Sequence, residues 1–167
     1  MSGAGGAPTP TAGAKAAPDP ALLADLHARC FTTPRPWSAE EIAGLLGTPG
    51  VFLKGDATGF VMGRVILDES ELLTLAVDPD LRGQGRGRAL LRGFVEASSA
   101  RGATRAFLEV AADNIVALSL YEGDGWQRTG LRRGYYRPHA TGTPPPGAPG
   151  TAARGAPIDA VVMARAL

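Results

Sequence analysis

The chain is poor in the residues that build disulfide frameworks and metal centres, with one cysteine, Cys30, and two histidines, His27 and His139, among 167 residues. A single thiol excludes an intrachain disulfide. His27 and Cys30 stand three apart on one predicted helix and lack a credible third ligand, so packing rather than zinc binding is expected of both. An excess of one charge is missing too. Seventeen Lys and Arg against sixteen Asp and Glu leave a net charge of +1, which gives no general attraction to nucleic acid or a membrane surface. No apolar run reaches the roughly 18 residues of a membrane span, and the opening "MSGAGGAPTPTAGAKAAPDP" lacks the apolar centre of a signal peptide. These absences predict a cytoplasmic chain with no nucleic-acid or membrane partner, in which any affinity for anions comes from a local site.

What is present is the balance of one soluble domain, 44% hydrophobic and 20% charged. Two stretches offer little for a core to bury: the tail over 1–20, and "HATGTPPPGAPGTAARGAP" over 139–157, where proline and glycine dominate. A single domain over 21–167 with a flexible Pro/Gly-rich insertion at 139–157 is expected.

Helical spacing of Leu22, Leu23 and Leu26 marks "ALLADLHARC", and "SAEEIAGLLG" opens on Ser38 with Glu41 three residues on and stops at Gly47. Then "GVFLKGD", "GFVMGRVILDE" and "ELLTLAVDP" read as a three-stranded antiparallel meander. "RALLRGFVEASSARG" sets Leu90, Leu91, Phe94 and Val95 on one helical face and ends at Gly102. "TRAFLEVA" is a strand, "NIVALSLYEGDG" a helix that Asn114 can cap, and "WQRTGLRRGYYRP" and "IDAVVMARAL" are strands. The predicted order is ααβββαβαββ, an α/β fold whose mixed, mainly antiparallel sheet is flanked by helices.

Between the third strand and the third helix lies "DPDLRGQGRGRALL", three glycines and three arginines between a proline and an apolar run. It leaves a strand at Val77 and enters a helix near Gly87. Backbone N–H groups from Gly83 through Gln84, Gly85, Arg86 and Gly87 to Arg88 would gather there, where the helix dipole favours anions. Glycine lets a phosphate approach the backbone, and Arg82, Arg86 and Arg88 add charge. A pyrophosphate is the natural occupant; a solvated glycine turn with surface arginines is the alternative. A P-loop needs Lys followed by Ser or Thr after its last glycine, and Gly87 is followed by Arg88 and Ala89. A dinucleotide-binding turn follows its strand directly and closes on glycine, whereas here "DPDLR" intervenes and Arg88 stands at the last position.

The stretch "AVDPDLRGQGRGRALL" resembles the acetyl-CoA signature of the GNAT N-acetyltransferases, with Arg82, Gly85 and Gly87 matching its pyrophosphate-loop pattern. Together with "FLEVAADNIVALSLYEGDGW", "RRGYYRP" and "DAVVMA", it is similar to the bacterial branch that acetylates ribosomal-protein alanine. The resemblance spans roughly 21–167 apart from the insertion. It departs in lacking an obvious strand before the first helix and in the length of the last strand connection, which borders the acceptor groove in this family.

That resemblance implies acetyl-CoA as cosubstrate and direct acetyl transfer, with a ribosomal-protein N-terminus as acceptor, specifically the N-terminal alanine of small subunit protein eighteen. It implies Glu109, inside the apolar strand "AFLEV", as general base; pairing with Arg105 or simple solvation is the other reading of that carboxylate. It implies Tyr121 as the acid that protonates the departing thiolate, where the residue alone would be packing with one polar handle. Asn114 would touch the cofactor as well as cap its helix. A bulge in the strand carrying "TLAVDP" would turn backbone groups of Leu75, Ala76 and Val77 toward the pantetheine, with the Val77 N–H at the thioester carbonyl. Tyr135 and Tyr136, behind Arg132 and Arg133, read either as aromatic cover or, by the resemblance, as acceptor wall. Two other functions stay open: acetylation of a small amine or a lysine, and a non-catalytic acyl-CoA sensor, which would keep the glycine loop but need neither Glu109 nor Tyr121.

Overall fold

A computed structural model of the chain describes residues 18–136 and 156–167. Helix α1 (Pro20–Cys30) starts where Asp19 Oδ1 accepts from the Ala21 N–H at 2.9 Å and proline takes the first helical position. Helix α2 (Ala39–Leu46) opens with a reciprocal capping box between Ser38 and Glu41. Strands β1 (Val51–Asp56), β2 (Gly59–Ile66) and β3 (Glu69–Val77) form an antiparallel meander through short turns. Helix α3 (Arg86–Ser99) then carries the chain across to β4 (Arg105–Ala111), which runs parallel to β3. Helix α4 (Ile115–Glu122) leads to β5 (Gln127–Tyr136), and β6 (Ile158–Ala166) inserts between β5 and β4.

The sheet order is β1-β2-β3-β4-β6-β5, with one parallel pair in an otherwise antiparallel array. The order ααβββαβαββ is the one expected, with an added 3₁₀ turn at Pro79–Leu81 that pattern alone does not reveal. Both the 1–20 tail up to residue 17 and the insertion up to residue 155 lie outside the described residues. Among the described residues no helix is long and apolar enough to cross a membrane.

Alternation along β2 divides the core into two layers. Val61 points to α3, where it joins Phe52, Leu91, Phe94, Leu108 and Trp126; Phe60 and Met62 point to α1 and α2, where they meet Leu23, Leu26 and Ile42. Burial on both faces explains why β2 reads as a continuous apolar run rather than an alternating one.

Two irregularities of β3 make the cleft. Met62 pairs with Thr74 but the adjacent Gly63 pairs with Leu72, so Leu73 is an extra residue, a bulge in the strand where the resemblance implied one. Leu72 packs in the α3 layer, whereas Leu73 and Thr74 both turn to the α1 side. The second irregularity is that β3 and β4 pair only at Glu69–Arg105, Ser70–Ala106 and Glu71–Phe107. Beyond these the strands separate, and the sheet is open between Val77 and Val110.

Candidate active site

The gap between β3 and β4 widens into a cleft of about 760 Å³ that runs from the glycine loop, past Leu75 and Val77, to Glu109, Tyr121 and Tyr136. Its glycine-loop end is built by backbone conformation. Gly83 and Gly85 have φ of +74° and +77°, a region glycine enters without penalty, and Gly85 is the N-cap of α3 with no side-chain cap. The first N–H groups of α3 are therefore left to a ligand, and the dipole adds to the attraction for an anion. Gly87 sits where a β-carbon would come within 3.3 Å of Leu120 on α4, so its lack of a side chain lets α3 approach α4 closely.

The three arginines are each given a direction. Arg82 Nε donates to the Val77 carbonyl at 3.3 Å, Arg86 Nη2 to Thr58 Oγ1 at 3.1 Å, and Arg88 lies beside Gly123 at the end of α4. All three line the cleft. The loop is also clipped to α1: Arg29 donates through both terminal nitrogens to Asp78, at 2.9 Å each, and Asp78 Oδ1 accepts from the Asp80 N–H at 3.0 Å. That backbone bond, then the Arg29 guanidinium, holds the Asp78 carboxyl below its ordinary range.

Backbone direction separates the three β3 residues expected at the cofactor. Asp78 N–H donates to the Thr58 carbonyl at 3.0 Å, and pairing alternates along an antiparallel strand. Ala76, opposite Phe60, thus turns its polar groups to β2 and its side chain into the α1 layer, while Leu75 and Val77 turn theirs to the gap. Leu75 and Val77 line the cleft; Ala76 and the exposed Gln84 do not. Asn114 caps α4, its Oδ1 accepting from the Ala117 N–H at 3.1 Å, and lines the cleft as well.

Glu109 stands on the face of β4 opposite the buried Leu108 and Val110, with its side chain 22% exposed. Its Oε1 lies 3.0 Å from Arg132 Nε on β5. The alternative partner suggested by sequence, Arg105, pairs with Glu69 instead, since those residues face each other at the start of the parallel ladder. The Tyr135 phenol is pushed up by the Glu109 charge and by a hydrogen bond with it, so β5 contributes a second group to that carboxylate. Tyr136 is raised to about 12, by burial first and then by Glu109. Burial, followed by the neighbouring Tyr136, also raises the Tyr121 phenol, which remains protonated at neutral pH. Tyr136 lines the cleft, and Tyr135 and Arg132 stand behind the carboxylate, so the "RRGYY" run is wall and cover at once.

The opposite wall, from α1 and the α1–α2 connection, comprises Phe31, Thr32, Thr33, Pro34 and Trp37. His27 also lines this wall, although only 2% exposed. Burial lowers its imidazole to about 4, against a weaker upward pull from Glu41. Because the folded value lies below the unfolded one near 6.5, the unfolded chain takes the proton first. Stability is unaffected by this group above about pH 6.5 and declines as pH falls toward 4, by up to about 1.4 kcal/mol per pH unit. Urea unfolding at pH 7.5 and pH 5 is expected to show a lower midpoint at pH 5, and His27→Gln is expected to remove part of that difference. An identical difference in the variant would contradict the buried neutral imidazole.

Comparison with known proteins adds to this geometry. The sequence model described as the Acetyltransferase (GNAT) family matches residues 19–126. The chain is 38% identical over 105 residues to the ribosomal protein bS18-alanine N-acetyltransferase of Escherichia coli strain K12, covering 60% of this chain and 71% of that one. It is 38% identical over 136 residues to the N-alpha-acetyltransferase RimI of Mycobacterium tuberculosis, covering 76% and 84%. The crystal structure of the Escherichia coli ribosomal-protein-S18-alanine N-acetyltransferase superposes with a TM-score of 0.69 at 31% identity, over 89% of this chain and 87% of that one.

Proposed function

Because the chain belongs to the acetyltransferase (GNAT) family and is an N-acetyltransferase that uses acetyl-CoA, we propose that it acetylates a protein N-terminal α-amine, the N-terminal alanine of small ribosomal subunit protein eighteen, with Glu109 as base and Tyr121 as acid. The observation that carries this reading is the Glu109 carboxylate, held by Arg132 in the mouth of the splayed strands, on the same cleft as the uncapped α3 N-terminus.

Acetyl-CoA supplies the activated acetyl group as a thioester. The chain's own groups do the rest. The α3 N–H groups and the loop arginines bind the pyrophosphate. The free N–H of Val77, at the opening of the gap, is a donor for the thioester oxygen as charge develops on it. Glu109 accepts a proton from the amine, directly or through water, which leaves the nitrogen lone pair free to attack the acetyl carbon. Arg132 and Tyr135 fix the carboxylate in place. Tyr121, which keeps its proton, gives it to the sulfur as the carbon–sulfur bond breaks, and the second proton, shed by the acylated nitrogen, restores the phenol through water.

An α-amine makes the smaller demand on such a base. With a pKa of roughly 7.7–8.0 it is neutral in about a tenth of molecules at pH 7, against fewer than about one in a thousand for an ordinary lysine. The names of the bS18-alanine relatives support the alanine terminus as the acceptor. The test is competition between a peptide carrying a free N-terminal alanine and an internal lysine, the same peptide with a blocked terminus, and a small free amine. Acetylation at the alanine nitrogen is expected to dominate. Modification of the lysine alone, or preference for the small amine, would defeat the acceptor assignment.

A further inference from the structure

We propose that His27 is a positioning residue for the acceptor: a neutral imidazole that fastens the aromatic α1–α2 wall to the bulged segment of β3 and so sets the width of the acceptor end of the cleft. The geometry fixes its tautomer. Nδ1 accepts from the Trp37 backbone N–H at 3.2 Å, so the ring proton sits on Nε2, which donates to Thr74 Oγ1 at 3.1 Å. The ring is stacked between Phe31, with centroids 4.2 Å apart and planes 19° from parallel, and Trp37, at 5.0 Å and 10°. One side chain thus holds three parts of the cleft: the end of α1, the connection that follows it, and the rim of β3.

Its reach toward the reacting amine comes from the bulge. Unbroken alternation from Leu72 through Leu73 would turn Thr74 to the α3 layer; because Leu73 bulges, Thr74 faces α1 instead and meets the imidazole. Continuing the parallel register of Glu69–Arg105 and Glu71–Phe107 by two residues sets Leu73, the residue before Thr74, across the gap from Glu109. The His27–Thr74 bond therefore fixes the lip opposite the carboxylate, and the Trp37 and Phe31 rings fix the wall beside it. An amine seated between that wall and Glu109 is located by His27 through the rings and the strand lip that it holds. This inference rests on the reading of the cleft as an amine-acceptor site.

The test combines binding, kinetics and exchange. His27→Leu keeps the volume and removes both hydrogen bonds; His27→Asn retains an acceptor for the Trp37 N–H; Thr74→Val removes the β3 partner without changing its shape. His27→Leu is expected to raise the acceptor KM about tenfold, the scale of one buried group left unpaired, with kcat reduced less and acetyl-CoA affinity within about twofold. Thr74→Val should show the same split, and His27→Asn should recover part of it. Amide exchange over 31–37 is expected to accelerate in His27→Leu without acceptor present, a readout that does not depend on turnover. Unchanged exchange there, an unchanged acceptor KM in both His27→Leu and Thr74→Val, or loss of acetyl-CoA affinity in step with the acceptor KM would overturn the proposal. Failure of Glu109→Gln to impair turnover would count against the base and leave these outcomes standing.

Discussion

Replacing Glu109 by glutamine is expected to lower turnover about 100-fold near neutral pH and to leave acetyl-CoA binding unchanged. Glutamine keeps the size of the side chain but cannot take a proton, so the amine must lose its proton to bulk water. The neighbouring contacts make the substitution specific. Arg132 Nε, 3.0 Å from Oε1, and the Tyr135 phenol can both still donate to an amide oxygen, so the local packing has no reason to collapse. Raising the pH should recover part of the loss, because a growing fraction of α-amine is then already neutral, whereas the native enzyme gains less. Tyr121→Phe is expected to reduce turnover by a comparable order with no gain at high pH. Near-normal turnover in both variants would leave the reaction without its base and acid.

Gly85→Val is expected to weaken acetyl-CoA binding by about 10- to 100-fold, as calorimetry would measure it. Valine at φ of +77° is strained, and relief of that strain turns the first N–H groups of α3 away from the phosphates. Loss of one or two charge-assisted hydrogen bonds accounts for that range. A control separates strain from site. Gly102 has φ of +90° and, like Gly85, nothing within 4 Å of a β-carbon, but it stands in the turn after α3, away from the cleft. Gly102→Val should cost stability and spare cofactor affinity. Equal affinity in folded Gly85→Val and native protein would remove the loop from the site.

The parts of this site that the sequence displays are those built within one segment. The glycine loop is legible because positive φ at Gly83 and Gly85 and the helix entry at Arg86 are local consequences of local residues. The order of elements is legible for the same reason, through caps such as Ser38 with Glu41 and apolar periods such as Leu90, Leu91 and Phe94. Partners across the sheet are another matter. Glu109 could be picked out, but its arginine could not: sequence offers the nearby Arg105, and Arg132 comes within reach only through the order β4-β6-β5. Ala76 stood beside Leu75 and Val77 in the expected cofactor strand, and only the ladder's alternation assigns it to β2. His27 read as packing, which it is, but its bonds to Thr74 and Trp37 depend on a bulge and on a contact between distant segments. The clip from Arg29 to Asp78 carried no signal in either segment's own pattern.

The short parallel join between β3 and β4 also bears on how the chain folds. The meander closes through tight turns between neighbours in sequence, where the entropy of closing a loop is small. Bringing β4 to β3 requires the whole of α3 and its connections to close first, and only three residue pairs of ladder reward it. The association must lean on α3, which packs against β1, β2 and β3 and buries Leu91 and Phe94. In the binding mode proposed above, that helix offers its uncapped first turn to the phosphates of acetyl-CoA. With the cosubstrate bound there as proposed, its affinity and the packing of the meander along α3 would be thermodynamically linked, and acetyl-CoA would add to the stability of the cleft it occupies.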